Sequence, residues 1–362
     1  MKTDNYTLLP LAGLILTGIL SPAETRAQDS WVNSISVKGD VRLRYEAIDE
    51  DGEEQRNRGR FRARLGLTAD VNDNVKAIIQ FASGGDNPVS TNQTFDEGFS
   101  RKDVGLDLAY LDWTPNDNTH LYGGKMKNPF HRAGGHALVW DSDLNPEGVA
   151  LKYESGGFFG TGGLMFVEER SSADDSLLLA VQGGYAFDVT DGAKLTAGAS
   201  YYDYTETVGN APFYNGKAKG NSVDANGDLV FDYRQFELFA ELATRLGDMP
   251  LSVFADVVQN TDAGAEDTGY AVGAALGKAH APGTWQASVA WQDLEADAVI
   301  GTFTDSDFGG GGTDASGFTI KGKYSLADNW VLGGTLFLNE VDKSIGNEHD
   351  FTRLQLDLEF KF

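Results

Sequence analysis

Arginine recurs at every second position in two segments of the chain. The residues concerned are Arg42, Arg44, Arg58, Arg60, Arg62 and Arg64. A β-strand places alternate side chains on opposite faces, so each segment has one basic face and one small or apolar face. Guanidinium groups form strong, geometrically defined hydrogen bonds with carboxylates and phosphates. The spacing therefore predicts a basic surface shared by two strands, which is suited to attracting anions.

A second group of charged residues lies in or beside residues 128–148. The members of this group are Lys125, Lys127, Asp141, Asp143 and Glu147. The same segment contains an apolar run, Ala-Leu-Val-Trp at 137–140, which is unusual for a connection that extends into bulk water. We expect this segment to fold against an inner wall, where its carboxylates would face basic residues.

One stretch resembles the start of a calcium-binding loop. In DANGD, residues 224–228, the oxygen-bearing residues Asp224, Asn226 and Asp228 stand at alternate positions. The complete pattern needs glycine at its sixth position and glutamate at its twelfth, but this chain has Leu229 and Gln235 there. We interpret the stretch as a turn, and the sequence predicts no metal and no cofactor.

The sequence contains no recognisable catalytic pattern. None of the five histidines belongs to an HExxH motif, no serine lies in a G-x-S-x-G turn, and cysteine is absent. A serine and a histidine from neighbouring strands could still meet in the fold. A hydrolase built on a membrane barrel therefore stays open as an alternative to a protein without catalytic activity.

Composition favours β-structure and argues against a nucleic-acid partner. The 362 residues include 44 glycines, 21 phenylalanines and 13 tyrosines but only 9 prolines, a β-like composition. The chain has 54 acidic and 29 basic side chains, and its net charge is −25. Because contacts with phosphate dominate nucleic-acid affinity, a chain this acidic is a poor general binder of DNA or RNA.

The first 27 residues have the features of a cleaved signal peptide. Lys2 precedes an apolar run at 8–20, and Thr25 and Ala27 stand at the small-residue positions of a cleavage site. The apolar run is too short for a membrane-spanning helix. We expect cleavage after Ala27, which leaves a mature chain of residues 28–362.

The mature chain is a succession of alternating segments separated by turns. We predict sixteen strands, at about 34–48, 57–69, 74–84, 104–114, 119–128, 147–155, 160–169, 176–188, 193–204, 233–246, 250–260, 268–278, 284–294, 317–326, 330–341 and 351–362. Segments of about ten residues with period-two hydrophobicity are typical of outer-membrane barrels. Fourteen or eighteen strands stay open, because 104–114 and 147–155 are weak and 205–232 could contain another pair.

Short turns and long polar connections alternate along the whole chain. Such alternation is expected of a membrane barrel, in which periplasmic turns are short and extracellular loops are long. Trp113, Phe187, Trp285 and Trp330 all lie near short turns, where amphipathic rings would form an interfacial girdle. These patterns predict an all-β transmembrane antiparallel barrel. A secreted, soluble all-β surface protein is the alternative, and it would bury its apolar faces in a core.

The last ten residues, RLQLDLEFKF at 353–362, alternate without interruption and end in Phe362. After a signal peptide, such a strand resembles the assembly signal of Gram-negative outer-membrane proteins. The strand count and loop order resemble the sixteen-stranded porins. The stretches VRLRYE, GGKMKNPF (123–130) and LNPEGVALKY (144–153) resemble, more narrowly, the putative porins of proteobacteria.

This resemblance implies a diffusion channel for small hydrophilic solutes and ions in the outer membrane. It implies that the third extracellular loop, at 128–148, folds inward and narrows the pore. It also implies a homotrimer and recognition of the last strand by the barrel-assembly machinery. A constriction between the basic wall and the acidic loop would favour polar solutes, and we expect anionic or zwitterionic solutes to be accepted.

Overall fold

The computed structural model describes residues 34–362, and the predicted signal peptide lies outside the described residues. The barrel strands are Ile35–Glu50 (β1), Arg56–Asn72 (β2), Val75–Ser83 (β3), Val104–Asn116 (β4), Thr119–Lys125 (β5), Glu147–Ser155 (β6), Phe158–Glu168 (β7), Ser176–Thr190 (β8), Ala193–Tyr204 (β9), Tyr233–Leu246 (β10), Met249–Asn260 (β11), Thr268–Gly277 (β12), Trp285–Leu294 (β13), Ala315–Ala327 (β14), Trp330–Val341 (β15) and His349–Lys361 (β16). The remaining regular elements are a two-residue strand, Gln93–Thr94, and three short 3₁₀ turns at 97–99, 133–135 and 308–310. No helix within residues 34–362 has the length and apolar character needed to cross a membrane.

The sheet closes on itself. Each barrel strand pairs antiparallel with its neighbours in sequence, and β1 pairs with both β2 and β16. The backbones of Gly39 and Phe362 exchange hydrogen bonds of 2.9 and 3.0 Å at the closing edge. A closed barrel has no free edge strand. The predicted all-β fold with sixteen strands is therefore confirmed.

The two faces of the strands differ as the alternation predicts. On β16, Leu354 and Leu356 are 37% and 48% exposed, whereas the intervening Gln355 is 2% exposed. In a barrel whose interior is filled by loops, such exposed leucines are the outer, lipid-facing row. The aromatic residues near the short turns, Trp113, Phe187, Trp285 and Trp330, are all exposed, which is the arrangement expected of an interfacial girdle.

Several predicted boundaries need correction. The fifth strand ends at Lys125, and Glu147 begins β6, so the connection between them is residues 126–146 and Glu147 is a strand residue. Segment 205–232 contributes one isolated bridge, between Val223 and Leu229, and no further strand pair. The strand Gln93–Thr94 pairs with Arg60 and Phe61 of β2, and an element of two residues is too short to show period-two alternation.

Substitution of Leu356 by arginine tests the orientation of β16. We expect the Leu356→Arg variant to lose about 2–4 kcal/mol of folding free energy or to fail to assemble, because a charged side chain near the bilayer midplane is costly. Urea unfolding in lipid vesicles measures this loss. Leu356→Ala is the matched control, since it removes apolar area without adding charge. Equal losses in the two variants would contradict an outward Leu356.

Candidate functional site: a charged passage

The predicted arginines form one continuous surface on the inner face of β1 and β2. We call Arg42, Arg44, Arg58, Arg60, Arg62 and Arg64 the arginine wall. Their side chains contact loop residues inside the barrel, for example Arg42 Nη2 with Asn92 Oδ1 at 2.6 Å. The strand register sets like charges side by side, because Arg42 lies opposite Arg62 and Arg44 lies opposite Arg60. Directly opposed like charges destabilise a sheet, so this surface needs carboxylates close by.

Those carboxylates come mostly from the wall strands themselves. Asp40 on β1 accepts hydrogen bonds from both Arg62 and Arg64, each at 2.7 Å. Glu46, also on β1, forms ion pairs with Arg58 and Arg60. These partners sit at alternate positions of β1, on the same face as the arginines. The wall is therefore a mixed-charge lattice rather than an uncompensated basic stripe.

The last strand supplies the remaining wall carboxylates. Asp357 on β16 receives a bidentate pair from Arg44, with N–O distances of 2.7 and 2.8 Å. Glu359 accepts from Arg62 at 3.0 Å. The period-two pattern of 353–362 already placed both carboxylates on the inner face. Their pairing with β1 and β2 could not be assigned from sequence, because it depends on the register in which the barrel closes.

The connection between β5 and β6, loop 126–146, packs inside the barrel against the opposite wall. Its Trp140 is 3% exposed and lies edge-on to Tyr202 of β9, with ring centroids 5.1 Å apart. His131 and Gln182 of β8 exchange backbone–amide hydrogen bonds of 2.6 and 3.0 Å. His136 Nε2 lies 2.6 Å from Gln292 Oε1 on β13. Apolar packing and these polar contacts hold the loop across much of the interior.

Close approach of the backbone to the barrel wall holds the middle of this loop in place. Gly134 has a φ of +60°, and a Cβ there would lie 2.3 Å from Phe254 Cδ1 of β11. Its N–H donates to Glu241 Oε2 at 3.0 Å. Burial, with a smaller contribution from Lys321, lowers the pKa of the neighbouring His136 to about 4, so this imidazole is neutral at physiological pH. The loop therefore meets the wall here without adding positive charge.

The charged residues predicted for this loop have separate environments. Asp143 alone of the three predicted carboxylates reaches an arginine within the described residues, with Asp143 Oδ1 lying 3.6 Å from Arg64 Nη1. Glu147 pairs with Lys125 at 2.9 Å. Both residues line a separate cavity of about 440 Å³. Lys127 donates to the carbonyl of Ser142 at 3.0 Å. Among the described residues, Glu147 therefore forms no ion pair with the arginine wall, and Lys125 and Lys127 donate to loop carbonyls and to Glu147.

Asp141 faces a second inward loop rather than the arginines. Its Oδ2 accepts from the backbone N–H of Ser306 at 2.8 Å, and its own N–H donates to the carbonyl of Phe303 at 2.8 Å. Burial raises the pKa of Asp141 to about 8, and the nearby Asp305 and Asp143 contribute to the shift. The side chain is therefore largely protonated at neutral pH.

This second loop, residues 295–314, was not predicted to enter the barrel. Its apolar residues Ala296, Ala298, Val299 and Ile300 are each 3% exposed or less. Asn221 of the 205–232 connection secures it through hydrogen bonds of 2.8 Å to the carbonyls of Ala296 and Val299. The apolar run at 298–300 was a usable signal, of the same kind as the run at 137–140.

Loop 295–314 delivers Asp307 to the arginine wall. Asp307 Oδ2 lies 3.3 Å from Arg44 Nη1, and Asp307 Oδ1 accepts from Arg353 Nη1 of β16 at 2.7 Å. Burial opposes ionisation, but Arg353 and Arg44 hold the pKa of Asp307 below its usual range. Asp307 is therefore ionised at neutral pH. Asp307 and Arg353 are charged residues that the sequence pattern did not identify as site residues.

Two cavities adjoin the arginine wall. The outer cavity, of about 750 Å³, is lined by Arg58, Arg60, Arg353 and Lys219 among others. The inner cavity, of about 250 Å³, is lined on one side by Arg42, Arg44 and Arg62 and on the other by loop residues 141–143. Ser306 and Asp307 line both cavities. Charged side chains thus line two adjoining cavities along one wall, and residues of loops 126–146 and 295–314 form part of their lining.

The weak calcium candidate forms a closed turn. Asp224 Oδ1 accepts from the backbone N–H groups of Asn226 and Asp228 at 2.7 and 3.1 Å. These backbone hydrogen bonds lower the pKa of Asp224. Among residues 34–362, no three histidine or carboxylate side chains are grouped so as to hold a metal ion.

Comparison with solved structures finds the same architecture in known porins. OprB of Pseudomonas putida matches with a TM-score of 0.62 and 14% identity, over 94% of this chain and 96% of that chain. OmpF of Salmonella typhi matches with a TM-score of 0.55 and 11% identity, over 91% and 97%. A triple-mutant porin of Rhodopseudomonas blastica matches with a TM-score of 0.51 and 13% identity, over 91% and 100%. At these identities the likeness concerns the fold alone.

A comparison with curated protein sequences finds no match. A family model described as "Putative porin" matches residues 48–228 and 222–362, which together include most of the chain. The barrel, its inward loops and this match agree with one another. The chain therefore belongs to the putative porin family and is a channel protein of the Gram-negative outer membrane.

Proposed function

We propose that this porin is a passive diffusion channel whose narrowest part lies between the arginine wall and loop 126–146. The observation that carries the proposal is the inner cavity, where Arg42, Arg44 and Arg62 stand across from the loop carboxylate of Asp143. Opposite charges on two sides of a narrow passage create a transverse field. Such a field orients dipolar solutes and favours them over apolar ones.

We further propose that the passage accepts anionic or zwitterionic solutes. The wall carboxylates neutralise much of the arginine charge, so the preference depends on groups that keep donor capacity. The Nε atoms of Arg42 and Arg60 are buried and have no hydrogen-bond partner among the described residues. Buried donors without partners are costly, and a passing carboxylate or phosphate oxygen could accept from them. Glu53 and Glu54 of the acidic surface loop line the outer cavity, but neither lines the inner cavity, so we expect the charges of the inner cavity to set the preference.

Single-channel recording in a planar bilayer tests the channel itself. Purified mature protein should give stable ohmic current steps, and a salt gradient should give a reversal potential of the sign expected for anion preference. Heat-denatured protein from the same preparation is the control. Correctly folded barrels that give no current steps would contradict an open channel and would bring the hydrolase alternative forward.

We also propose that the barrel forms homotrimers and that its last strand is read by the barrel-assembly machinery. Small outward positions on adjoining strands, Gly183 of β8 opposite Ala199 of β9, support close approach of a second copy. The exposed Phe362 at the end of β16 supports recognition of that strand. Native mass spectrometry in detergent measures the oligomeric state, and a monomer under mild conditions would contradict the trimer.

A further inference from the structure

The outer and inner cavities meet at a carboxylate that pairs with Arg44 of the arginine wall and with Arg353 of β16. Asp307 contacts both Arg44, at 3.3 Å, and Arg353, at 2.7 Å, and it lines both cavities. The side chains of Arg44 and Arg353 are only 5% and 6% exposed. A solute that moves from one cavity to the other along this wall therefore passes the point where Asp307 is paired.

The local charge balance depends on Asp307. Four guanidinium groups gather at this junction, those of Arg44, Arg58, Arg60 and Arg353. Their ion pairs within the described residues involve Glu46, Asp357 and Asp307. Glu46 and Asp357 belong to the wall strands and stay in place, whereas Asp307 comes from a loop. Withdrawal of the Asp307 carboxylate would leave Arg353 without an ion pair among the described residues, whereas Arg44 would keep its pair with Asp357.

Two arginines at the same junction have hydrogen-bond donors that are not in use. The Nε atoms of Arg60 and Arg353 are buried without a partner among the described residues. The guanidinium fork is suited to bidentate binding of a carboxylate. Asp307 occupies part of this donor set, and the unused donors lie beside an outer cavity of about 750 Å³, which is roomy enough for a small organic molecule.

We propose that Arg44, Arg60 and Arg353 form a binding site for a small dicarboxylate, which Asp307 occupies as an internal counter-ion between solutes. The proposal rests on the proposed channel function, because the solute reaches the site through the pore. Backbone N–H groups on both sides of Asp307 donate to other elements, Ser306 to Asp141 at 2.8 Å and Gly309 to Asn339 at 3.0 Å, and these contacts hold the backbone in place. Rotation of the Asp307 side chain is enough to exchange its carboxylate for that of a solute.

Block of single-channel current by succinate tests the site. Asp307→Asn removes the internal competitor, so we expect the half-blocking succinate concentration to fall about tenfold, the change expected if Asp307 occupies the arginines about 90% of the time. Glu53→Gln is the matched control, because Glu53 lines the same outer cavity and the variant loses the same charge. We expect less than about a twofold change in the control. Arg353→Gln should weaken the block.

Three outcomes would overturn the site. They are equal shifts in Asp307→Asn and Glu53→Gln, an Arg353→Gln variant that blocks like wild type, and equal half-blocking concentrations for acetate and succinate. The last result would exclude a site for two carboxylates. If the folded protein does not conduct, calorimetric titration of succinate into detergent-solubilised wild type and Asp307→Asn makes the same comparison. Tighter binding to the variant would then support the site although the channel proposal fails.

Discussion

Conversion of Arg60, Arg62 and Arg64 to glutamine should turn the channel from the proposed anion preference to cation preference. The variant removes three positive charges from the arginine wall and leaves Asp40, Glu46 and Glu359 in place. Selectivity in a narrow passage follows the local charges rather than the net charge. The reversal potential in a salt gradient should therefore change sign.

The matched control for this variant replaces Arg170, Arg234 and Arg245 by glutamine. These arginines lie on or beside exposed loops and turns, where their bonded partners include Asp174, Asp262 and Asp248, and the loss of charge is the same. The control should shift the reversal potential only slightly at physiological salt, because exposed charges beyond about 8 Å are screened. An unchanged reversal potential in the wall variant would remove the arginine wall from the conduction path.

Folding of the wall variant needs its own check. Asp40 loses both of its arginine partners, and breaking buried pairs costs about 3–5 kcal/mol. Arg42→Gln is a milder second variant, because the Arg42 side chain donates a hydrogen bond to the neutral Asn92. It should shift the reversal potential in the same direction by a smaller amount, and heat resistance on gels reports whether each barrel has assembled.

Raising the pH above 8 should loosen the contact between the two inward loops. Asp141 has a folded-state pKa of about 8, raised by burial and by Asp305 and Asp143, against an ordinary value of 3.8. Because the folded state holds this proton more tightly, the Asp141 contribution to stability is full below about pH 4 and is lost as pH rises to 8.

The frequency of fluctuations in the single-channel current and the solvent accessibility of the two inward loops measure this loosening. Between pH 7 and pH 9.5, wild-type channels should show more frequent current fluctuations, because ionised Asp141 repels Asp305 and Asp143. Asp141→Asn cannot ionise and should show a flatter pH response. Other titrating groups act in both proteins, so the difference between them isolates Asp141. Parallel pH responses in the two proteins would show that ionisation of Asp141 does not govern the loop contact.

Period two in the sequence was sufficient to predict the barrel and the direction of its side chains. The alternation in 353–362 separates exposed leucines from buried Arg353 and Gln355, and it needs no tertiary information. Likewise, the apolar run at 137–140 indicated a loop that packs against a wall. Leu138, Val139 and Trp140 are indeed buried.

The ionic partners could not be predicted in the same way. Pairing of Arg44 with Asp357 joins residues 313 positions apart, and it depends on how β1 meets β16. Asp307 is harder still, because an irregular loop has no periodicity and its course is decided by contacts such as those of Asn221 with loop 295–314. Local patterns therefore predicted which side chains face inward, and long-range register decided which of them meet.

The junction of β1 and β16 gives the charged wall a second consequence, for how the protein can evolve. The residues that pair across it, Arg44 with Asp357 and Arg62 with Glu359, also line the inner cavity. A slip of one residue at this seam would turn leucines inward and arginines toward lipid. The side chains that close the barrel in the correct register are therefore also the ones proposed to set its solute preference. A mutation that alters permeation at this junction also alters the strand pairing that closes the barrel. We therefore expect new selectivities to arise more freely from the inward loops than from the junction of β1 and β16.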